Sequence, residues 1–319
     1  MTRNSPQVFT LGHSPDPDDA FMFYAMAENK IDLRGYRFEH RIEDIQTLNQ
    51  RALRGELHIS AISIHAYAYV TDKYALLPCG ASMGDGYGPI VVRKRPTPNS
   101  DESRADVHRP TLSIEHRTPD ASTLQRFNAL TADEAIRDSL RGAVIAVPGE
   151  MTSAFLALQL FLGDVQRVVV PFDKIFDAVA SGRADAGLLI HEGQLTYEQA
   201  GFEKILDLGE WWKGETGLAL PLGGNVVRKD IPGSVRRELR DIIRESIDYG
   251  LTHRDEGVYH SLAYARGMSA NLTGKFIGMY VNEFTRDYGE TGREAIRMFL
   301  TEAYQRGYIK GSVEPEFVE

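Results

Sequence analysis

Strand patterns and helix patterns alternate along two separate stretches of this 319-residue chain, and this alternation restricts the fold more than any other feature. Strands that alternate with helices form βαβ units around a mostly parallel sheet. The apolar strand patterns cover residues 8–12, 36–42, 57–62, 144–149, 167–171 and 184–190. The sequence therefore predicts an α/β fold that contains two such units.

A polar segment, residues 94–141, separates the two stretches and contains several prolines, serines and acidic residues. We interpret it as an insertion, or an extended connection, where the chain crosses between domains. A further strand pattern follows at residues 223–227, and helical patterns cover most of the remainder. The sequence predicts one domain formed by residues 1–93 and 223–319 and a second formed by residues 94–222, and both fit the usual size of a domain.

The composition excludes several classes of partner. Hydrophobic residues make up 42% of the chain and charged residues 25%, which is ordinary for a globular protein. The formal net charge of -9 argues against nucleic acid or an anionic membrane as the main partner. Cys79 is the single cysteine, so neither an intrachain disulfide nor a thiolate metal cluster can form. The chain shows neither a signal-peptide pattern nor an apolar run that could span a membrane, so we expect a cytoplasmic protein.

His191 ends the last strand pattern of the second unit and is followed by Glu192 and Gly193. In an open α/β sheet, the carboxyl ends of the strands face the ligand crevice. An imidazole at such a position can exchange a proton near neutral pH. A structural histidine that hydrogen-bonds a neighbouring loop would fit the same place, and position alone leaves both interpretations open.

The loop at residues 12–21 follows the first strand pattern and opens a helix, whose free backbone N–H groups can hold an anionic or carbonyl oxygen. Asp18 and Asp19 suit the first turn of that helix, where they would satisfy its dipole themselves. Capping and ligand contact therefore both remain open for these two residues. Together with Asp16 they could also form a metal site, but no further ligand supports one.

Two further loops occupy similar positions after strand patterns. Residues 80–89 contain repeated glycines, Gly86 among them, which permit either close backbone approach to a ligand or a flexible crossing. Residues 148–154 carry the hydroxyl groups of Thr152 and Ser153, either of which can cap the next helix. A nucleophilic pair of Ser153 with His191 is a formal alternative, although no nucleophile-elbow pattern surrounds any serine.

Loops from both units thus point toward a shared crevice, and small molecules bind where two such domains face each other. This is the arrangement of two-domain, hinged solute-binding proteins. His13 and His65 lie beside the proposed ligand segments. No His-x-x-x-His spacing indicates a zinc site.

These segments resemble the 1,4-dihydroxy-6-naphthoate synthases of the futalosine route to menaquinone, and the resemblance covers nearly the whole chain outside residues 94–141. Its motifs, which are specific in combination, include Ser14-Pro15-x-Pro17-x-Asp19-x-Phe21, Asp44-Ile45-x-Thr47-Leu48-Asn49, Ile62-Ser63-x-x-Ala66-Tyr67, Gly84-x-Gly86-x-Gly88-Pro89, Leu189-Ile190-His191-Glu192 and Tyr280-Val281-Asn282. The resemblance implies the type II periplasmic-binding-protein fold, with a hinged cleft between the domains.

The resemblance also implies a lyase that forms 1,4-dihydroxy-6-naphthoate from cyclic dehypoxanthine futalosine, without a metal or an organic cofactor. The family's proposed general base falls on His191. The hydroxyl groups that contact the substrate fall on Ser63 and Ser153, with Thr152 beside them. The other expected substrate contacts are Ser14, Asp19 and Gly86.

The first loop departs from the family pattern, which usually reads Ser-Pro-Cys-Pro-Asn-Asp. Here Asp16 and Asp18 replace a thiol and an amide. Extra carboxylates should repel an acidic substrate unless they face away or are paired. The departure therefore bears on the identity of the substrate, as does the insertion.

Two other functions remain open. One is a non-catalytic solute-binding protein, which the absence of a signal-peptide pattern disfavours. The other is a sister enzyme of the same fold, such as the chorismate dehydratase of the same pathway, which the His191-Glu192 strand end disfavours. In each case the expected partner is a small molecule, and the sequence leaves a homodimer open.

Overall fold

The strands of the computed structural model, which describes residues 6–96 and 131–319, form two separate sheets. In chain order the strands are β1 (Gln7–His13), β2 (Tyr36–Ile42), β3 (Ile59–Ser63), β4 (Tyr74–Leu76), β5 (Ser82–Gly84), β6 (Ile90–Lys94), β7 (Val144–Val147), β8 (Gln166–Val169), β9 (Ala186–Leu189), β10 (Phe202–Asp207) and β11 (Leu220–Arg228). Residues 97–130, which make up most of the predicted insertion, lie outside the described residues.

The helices are α1 (Pro17–Ala27), α2 (Ile45–Arg54), α3 (Ile64–Tyr67), α4 (Ser153–Leu162), α5 (Ile175–Ala180), α6 (Gly193–Thr196), α7 (Leu208–Thr216), α8 (Gly233–Thr252), α9 (Arg254–Ser261), α10 (Ala270–Tyr280), α11 (Glu283–Arg286) and α12 (Gly289–Gln305). Residues 131–139 are also helical. Short 3-10 helices cover Phe172–Lys174 and Leu262–Tyr264. Within the two described ranges, no helix has both the length and the apolar character needed to cross a membrane.

The first sheet has the order β2-β1-β3-β11-β4, with β5 also paired to β11, and the second has the order β10-β6-β9-β7-β8. β1 runs parallel to β2 and β3, and β7 runs parallel to β8 and β9. In contrast, β11 and β6 run antiparallel to every strand they pair with. Both sheets are therefore mixed, and the expectation of mostly parallel sheets is wrong because these two strands oppose their neighbours.

The chain changes sheet twice, and the crossings define two lobes. It enters the second sheet with β6 at Ile90 and returns to the first with β11 at Leu220. The first lobe is residues 6–89 and 220–319, and the second lobe is residues 90–96 and 131–219. Both crossings precede the predicted boundaries after residues 93 and 222, because β6 and β11 each pair within a single sheet along their length.

Helix α1 is buried on all sides in the core of the first lobe. Its residues from Pro17 to Met26 are all buried, and it contacts α8, α9 and α10. A helix that is apolar almost all round belongs in a core, and burial of Phe21 alone contributes about 1.5–3 kcal/mol. This packing fixes the position at which α1 begins, next to Asp16.

Side-chain caps begin α2 at the predicted Asp44 and α4 at Thr152, one of the two residues that the sequence left open. Asp44 accepts the N–H of Thr47 at 3.0 Å, and Thr152 accepts the N–H of Phe155 at 3.2 Å. Gly55 ends α2 with a φ of 69°, as expected for a glycine C-cap. Each cap contributes about 1 kcal/mol. Because Ile45 and Ser153 follow these caps and line the space between the lobes, the caps help to define that space.

The glycine-rich loop is the first crossing between the lobes. Gly86 has a φ of 80°, in the left-handed region that glycine adopts without strain. Gly209 of α7 packs against this loop so closely that a Cβ atom there would overlap the carbonyl group of Tyr87. The close backbone approach in this loop is therefore made at Gly88, and it is an approach to Gly209 of α7.

Replacing Gly209 with alanine should destabilise the protein, because the new methyl group meets backbone atoms of Tyr87 and Gly88. We expect the free energy of unfolding to fall by about 1–3 kcal/mol, the usual cost of overpacking. Gly214 in the same helix has nothing within 4 Å of its Cβ position. The control Gly214→Ala should be neutral, or stabilising by up to about 1 kcal/mol. Chemical denaturation measures both changes, and equal stability of the two variants would contradict this packing.

Candidate functional site

A cavity lies between the two lobes, where β3 and β9 end and α1 and α4 begin. It encloses about 730 Å³ of non-atom space including its mouth. The polar side chains that line it are Ser14, Asp16, Asp18, Asp19, Ser63, Ser82, Thr152, Ser153, His191, Asn225 and Tyr280. Its apolar lining includes Met22, Ile45, Ile190, Leu222 and Phe276.

Most of the predicted site residues meet at this cavity. The structure brings together Ser14, Asp19, Ser63, Thr152, Ser153 and His191. Gly86 is not among the lining residues, and it lies in the crossing loop, where no atom comes within 4 Å of its Cβ position. The ligand contacts of all seven residues remain predictions.

His191 stands just beyond β9 and faces the N-terminal end of α1. Its side chain is only 13% exposed, and its Nδ1 lies 3.2 Å from the Oδ2 of Asp16. The ring of Phe172 meets the imidazole edge-to-face at a centroid distance of 4.3 Å. The imidazole therefore has a carboxylate at one nitrogen and an aromatic support beside its ring.

Asp16 is a buried carboxylate with partners at both oxygens. The Ser14 hydroxyl donates to Oδ2 at 2.6 Å, and a guanidinium nitrogen of Arg266 lies 2.9 Å from Oδ1. Burial alone would raise the pKa of this carboxyl, but the charges of His191 and Arg266 and the Ser14 hydrogen bond hold the pKa below its ordinary value. Asp16 is thus an anion at neutral pH. Its side chain makes no helix-capping bond and is directed to these partners instead.

Arg266 is the site residue that sequence reasoning missed. It donates to the carboxylate of Glu192 at 2.8 Å and to the carbonyl of Pro15 at 2.9 Å. Its guanidinium also lies over the ring of Phe172 at 4.6 Å from the ring centroid. Arg266 has a φ of 46°, which is uncommon for a residue with a side chain. It lies 250 residues from Asp16 in an irregular loop, and no motif or spacing marks it.

Asp18 and Asp19 occupy the first turn of α1 and also line the cavity. The Asp19 carboxylate accepts the N–H of Ser14 at 2.6 Å. Burial, together with the negative charge of Asp16, raises the pKa of Asp19 to about 7. Burial, followed by the charges of Asp19 and Asp16, raises the pKa of Asp18 well above its ordinary value. The two carboxyls therefore carry much less negative charge at neutral pH than exposed aspartates do.

Three hydroxyl groups in the cavity have different roles. Thr152 uses its hydroxyl to cap α4 and to donate to the carbonyl of Gly149 at 2.8 Å. Ser63 makes no capping bond, and its oxygen accepts an N–H of the Asn49 side chain at 3.0 Å. The Ser153 oxygen accepts the backbone N–H of His65 at 3.1 Å. The Ser63 and Ser153 oxygens thus act here as acceptors, and each hydroxyl can still donate its own proton to a ligand.

Other contacts join the two lobes around the cavity. The Tyr280 hydroxyl of the first lobe donates to Gln194 of the second at 2.6 Å, and both residues are buried. Burial raises the pKa of Tyr280, so the phenol stays neutral and can donate. Tyr280 belongs to one of the motifs that carry the resemblance, so the sequence held a signal for it.

His13 and His65 do not line the cavity. His13 is buried behind the first loop, with its Nε2 3.1 Å from the Nδ1 of His40. Burial, followed by the charge of His40, lowers the pKa of His13 to about 4, and burial lowers the pKa of His65 to about 4. Both rings are therefore neutral at physiological pH. Among the residues that the structure describes, no three His, Cys, Asp or Glu side chains group so as to hold a metal ion.

Two mixed α/β lobes with a cleft between them define the class of this protein, which has the periplasmic-binding-protein fold. A Candida albicans protein, CA3427, described as exhibiting the generic periplasmic binding protein fold, matches with a TM-score of 0.62 at 13% identity. The match covers 96% of this chain and 92% of that one. The predicted fold class is confirmed.

The chain belongs to the menaquinone biosynthesis family, whose model matches residues 9–118 and 129–305. A 1,4-dihydroxy-6-naphthoate synthase of Thermus thermophilus is 33% identical over 312 residues, which cover 98% of this chain and all of the relative. The crystal structure of protein AF1704 from Archaeoglobus fulgidus matches with a TM-score of 0.79 and 39% identity, over 95% of this chain and 98% of that one. The predicted family is confirmed, and the general role of the chain lies in menaquinone biosynthesis.

Replacing Asp18 with asparagine should stabilise the protein most at alkaline pH. The raised pKa of Asp18 means that wild-type stability is fully present below the ordinary Asp pKa and is lost as pH rises toward the folded-state value. Asparagine has no such dependence, so we expect a higher melting temperature at about pH 8, by roughly 2–4 °C for each kcal/mol recovered, and a smaller gain at about pH 5. Thermal unfolding at both pH values measures this difference.

The control for Asp18→Asn is Asp255→Asn, which removes an exposed carboxyl from α9. Its effect on the melting temperature should be small at both pH values. A gain in melting temperature for Asp18→Asn that is equal at the two pH values, or larger at acidic pH, would show that ionisation of the buried carboxyl does not destabilise the protein.

Proposed function

We propose that this protein is a lyase that forms 1,4-dihydroxy-6-naphthoate from cyclic dehypoxanthine futalosine, with His191 as the base that removes the proton whose loss starts the fission. Membership of the menaquinone biosynthesis family supports the pathway. The Thermus thermophilus relative, a 1,4-dihydroxy-6-naphthoate synthase that matches this chain along nearly its whole length, supports the reaction.

The observation that carries the proposal is the placement of His191 on the cleft. An imidazole suits a base that works near neutral pH, and a general base contributes about 10²–10⁴-fold to a rate. The ring lines the cavity, while Asp16 faces its Nδ1. A Ser153–His191 nucleophilic pair has less support, because Asp16 faces Nδ1 and the Ser153 oxygen meets His65 of the other lobe.

The charges of the lining are compatible with an acidic ligand. Asp16 is paired with Arg266, and the pKa values of Asp18 and Asp19 are raised, so the first loop repels an anion much less than three free carboxylates would. Ser153 and Ala154 open α4 and line the cavity. The first backbone N–H groups of a helix have no partner within that helix and attract anions. The carboxylate of the substrate would bind there, beside the Ser153 hydroxyl.

The site draws on both lobes, which fits a reaction that must exclude water. His191, Thr152 and Ser153 come from the second lobe, whereas Ser63 and the aspartates of α1 come from the first. Contacts between the lobes enclose the site, among them the Tyr280–Gln194 hydrogen bond. Separation of the lobes would admit the substrate, and their contact would shield the reaction.

Replacing His191 with alanine should abolish turnover and leave substrate binding largely intact. Purified wild type and variant are incubated with cyclic dehypoxanthine futalosine, and naphthoate is quantified by mass spectrometry. We expect the variant to lose at least about 10²-fold in kcat, while calorimetry still detects binding. The control is His253→Gln, which changes a histidine that stacks on Tyr249 and does not line the cavity. It should keep wild-type activity.

The same incubation separates the competing functions. The fold is shared with solute-binding proteins, and such a protein would bind the substrate without consuming it. A chorismate dehydratase-like enzyme would consume chorismate instead, which is supplied in a parallel sample. Absence of naphthoate from wild type, or undiminished naphthoate from His191→Ala, would reject the proposal.

A further inference from the structure

At the cleft, His191 is connected through Asp16 to Ser14 and Arg266. We propose that Asp16 is a positioning residue that fixes the proton of the neutral His191 ring on Nδ1, so that Nε2 is the atom that accepts the proton of the substrate. The inference deepens the proposed function, because it rests on His191 as the base.

The carboxylate of Asp16 meets only donors in this group. Ser14 donates its hydroxyl proton to Oδ2 at 2.6 Å, and a guanidinium nitrogen of Arg266, which has no lone pair to offer, lies 2.9 Å from Oδ1. The remaining neighbour, Nδ1 of His191, lies 3.2 Å from Oδ2. An ionised carboxylate accepts and cannot donate, so of the two neutral tautomers it favours the one that carries the proton on Nδ1, the nitrogen that faces it at 3.2 Å.

Contacts of Phe172 and Arg266 restrict movement of the His191–Asp16 pair. The Phe172 ring packs against the imidazole and lies under the guanidinium of Arg266. Arg266 itself is held by the Glu192 carboxylate and the Pro15 carbonyl. Bonds to groups that are themselves fixed orient a catalytic side chain more effectively than a single contact does.

The other titratable groups near the pair do not replace Asp16. Asp18 and Asp19 act on it through charge, and their raised pKa values make them weaker anions than Asp16. His13 lies behind the loop and is neutral, because burial lowers its pKa to about 4. Glu192 follows His191 in the chain but binds Arg266. Asp16 is therefore the carboxylate that faces the imidazole.

The contact between His191 and Asp16 also joins residues of different lobes. Asp16, Ser14 and Arg266 belong to the first lobe, whereas His191, Glu192 and Phe172 belong to the second. His191 consequently meets its carboxylate partner only when the two lobes are in contact. A base that is oriented only in the closed cleft is active only around an enclosed substrate.

The tautomer of His191 is a direct readout that needs no substrate. Full-length protein with ¹⁵N-labelled histidine is studied by long-range ¹H–¹⁵N NMR at about pH 8, where an ordinary imidazole is neutral, and His191→Ala assigns the signal. We expect the wild-type ring to carry its proton on Nδ1. In Asp16→Asn the amide N–H₂ can donate to Nδ1, and the proton should move to Nε2.

Kinetics supply the second readout. Asp16→Asn should lower kcat by about 10²–10⁴-fold, as expected when the tautomer of a catalytic histidine is wrong, while KM changes by less than about threefold because the substrate contacts remain. The control is Asp173→Asn, which removes a half-exposed carboxyl next to Phe172 that pairs with Lys174 and does not face the imidazole. It should preserve the tautomer and the rate.

Each result bears on the inference. An Nε2–H tautomer in wild type would overturn it even if Asp16→Asn does not fold. An Asp16→Asn protein that keeps the Nδ1–H tautomer and its kcat would also overturn it. A wild type that makes no naphthoate but shows the Nδ1–H tautomer, with the proton moving in Asp16→Asn, would reject the proposed function and support the positioning contact.

Discussion

The ionised carboxylate of Asp16 is the group around which the cleft is organised. A buried charge costs several kcal/mol unless it is paired and hydrogen-bonded. Arg266 and Ser14 supply that compensation from the first lobe, and His191 supplies it from the second. Because the compensation is complete only when the lobes meet, one electrostatic requirement connects the closed arrangement with the orientation of the imidazole.

Three aspartates within four residues have different protonation behaviour because their neighbours differ. Asp16 has the charges of His191 and Arg266 and the hydroxyl donor of Ser14 beside it, which keep its pKa low despite burial. Asp18 and Asp19 are buried beside that anion, and burial and repulsion raise their pKa values. The loop thus has one fixed anion and two groups that are easily neutralised. The sequence suggested that this loop would repel an acidic substrate. In the folded protein, the negative charge of the loop is largely neutralised.

The parts of the fold that follow from local patterns were predicted well. Alternating strand and helix patterns, the Asp44 cap and the Gly55 helix end all depend on a few neighbouring residues, and all appear as expected. The directions of β6 and β11 were not predicted, because strand polarity depends on how the chain returns to a sheet. Gly86 shows a similar limit, since close approach to a ligand and a left-handed turn in a connecting loop require the same residue type.

The sequence by itself determined the α/β class, the family and six of the residues that line the cavity, because these depend on local periodicity and on motifs that are short and contiguous. Only the tertiary structure decided what surrounds His191. Arg266 is 250 residues from Asp16, and no local pattern records that α1, the loop before α10 and the end of β9 converge. Electrostatic interactions act through space, so the charge state of a buried group depends on neighbours that only the folded chain brings within a few ångströms.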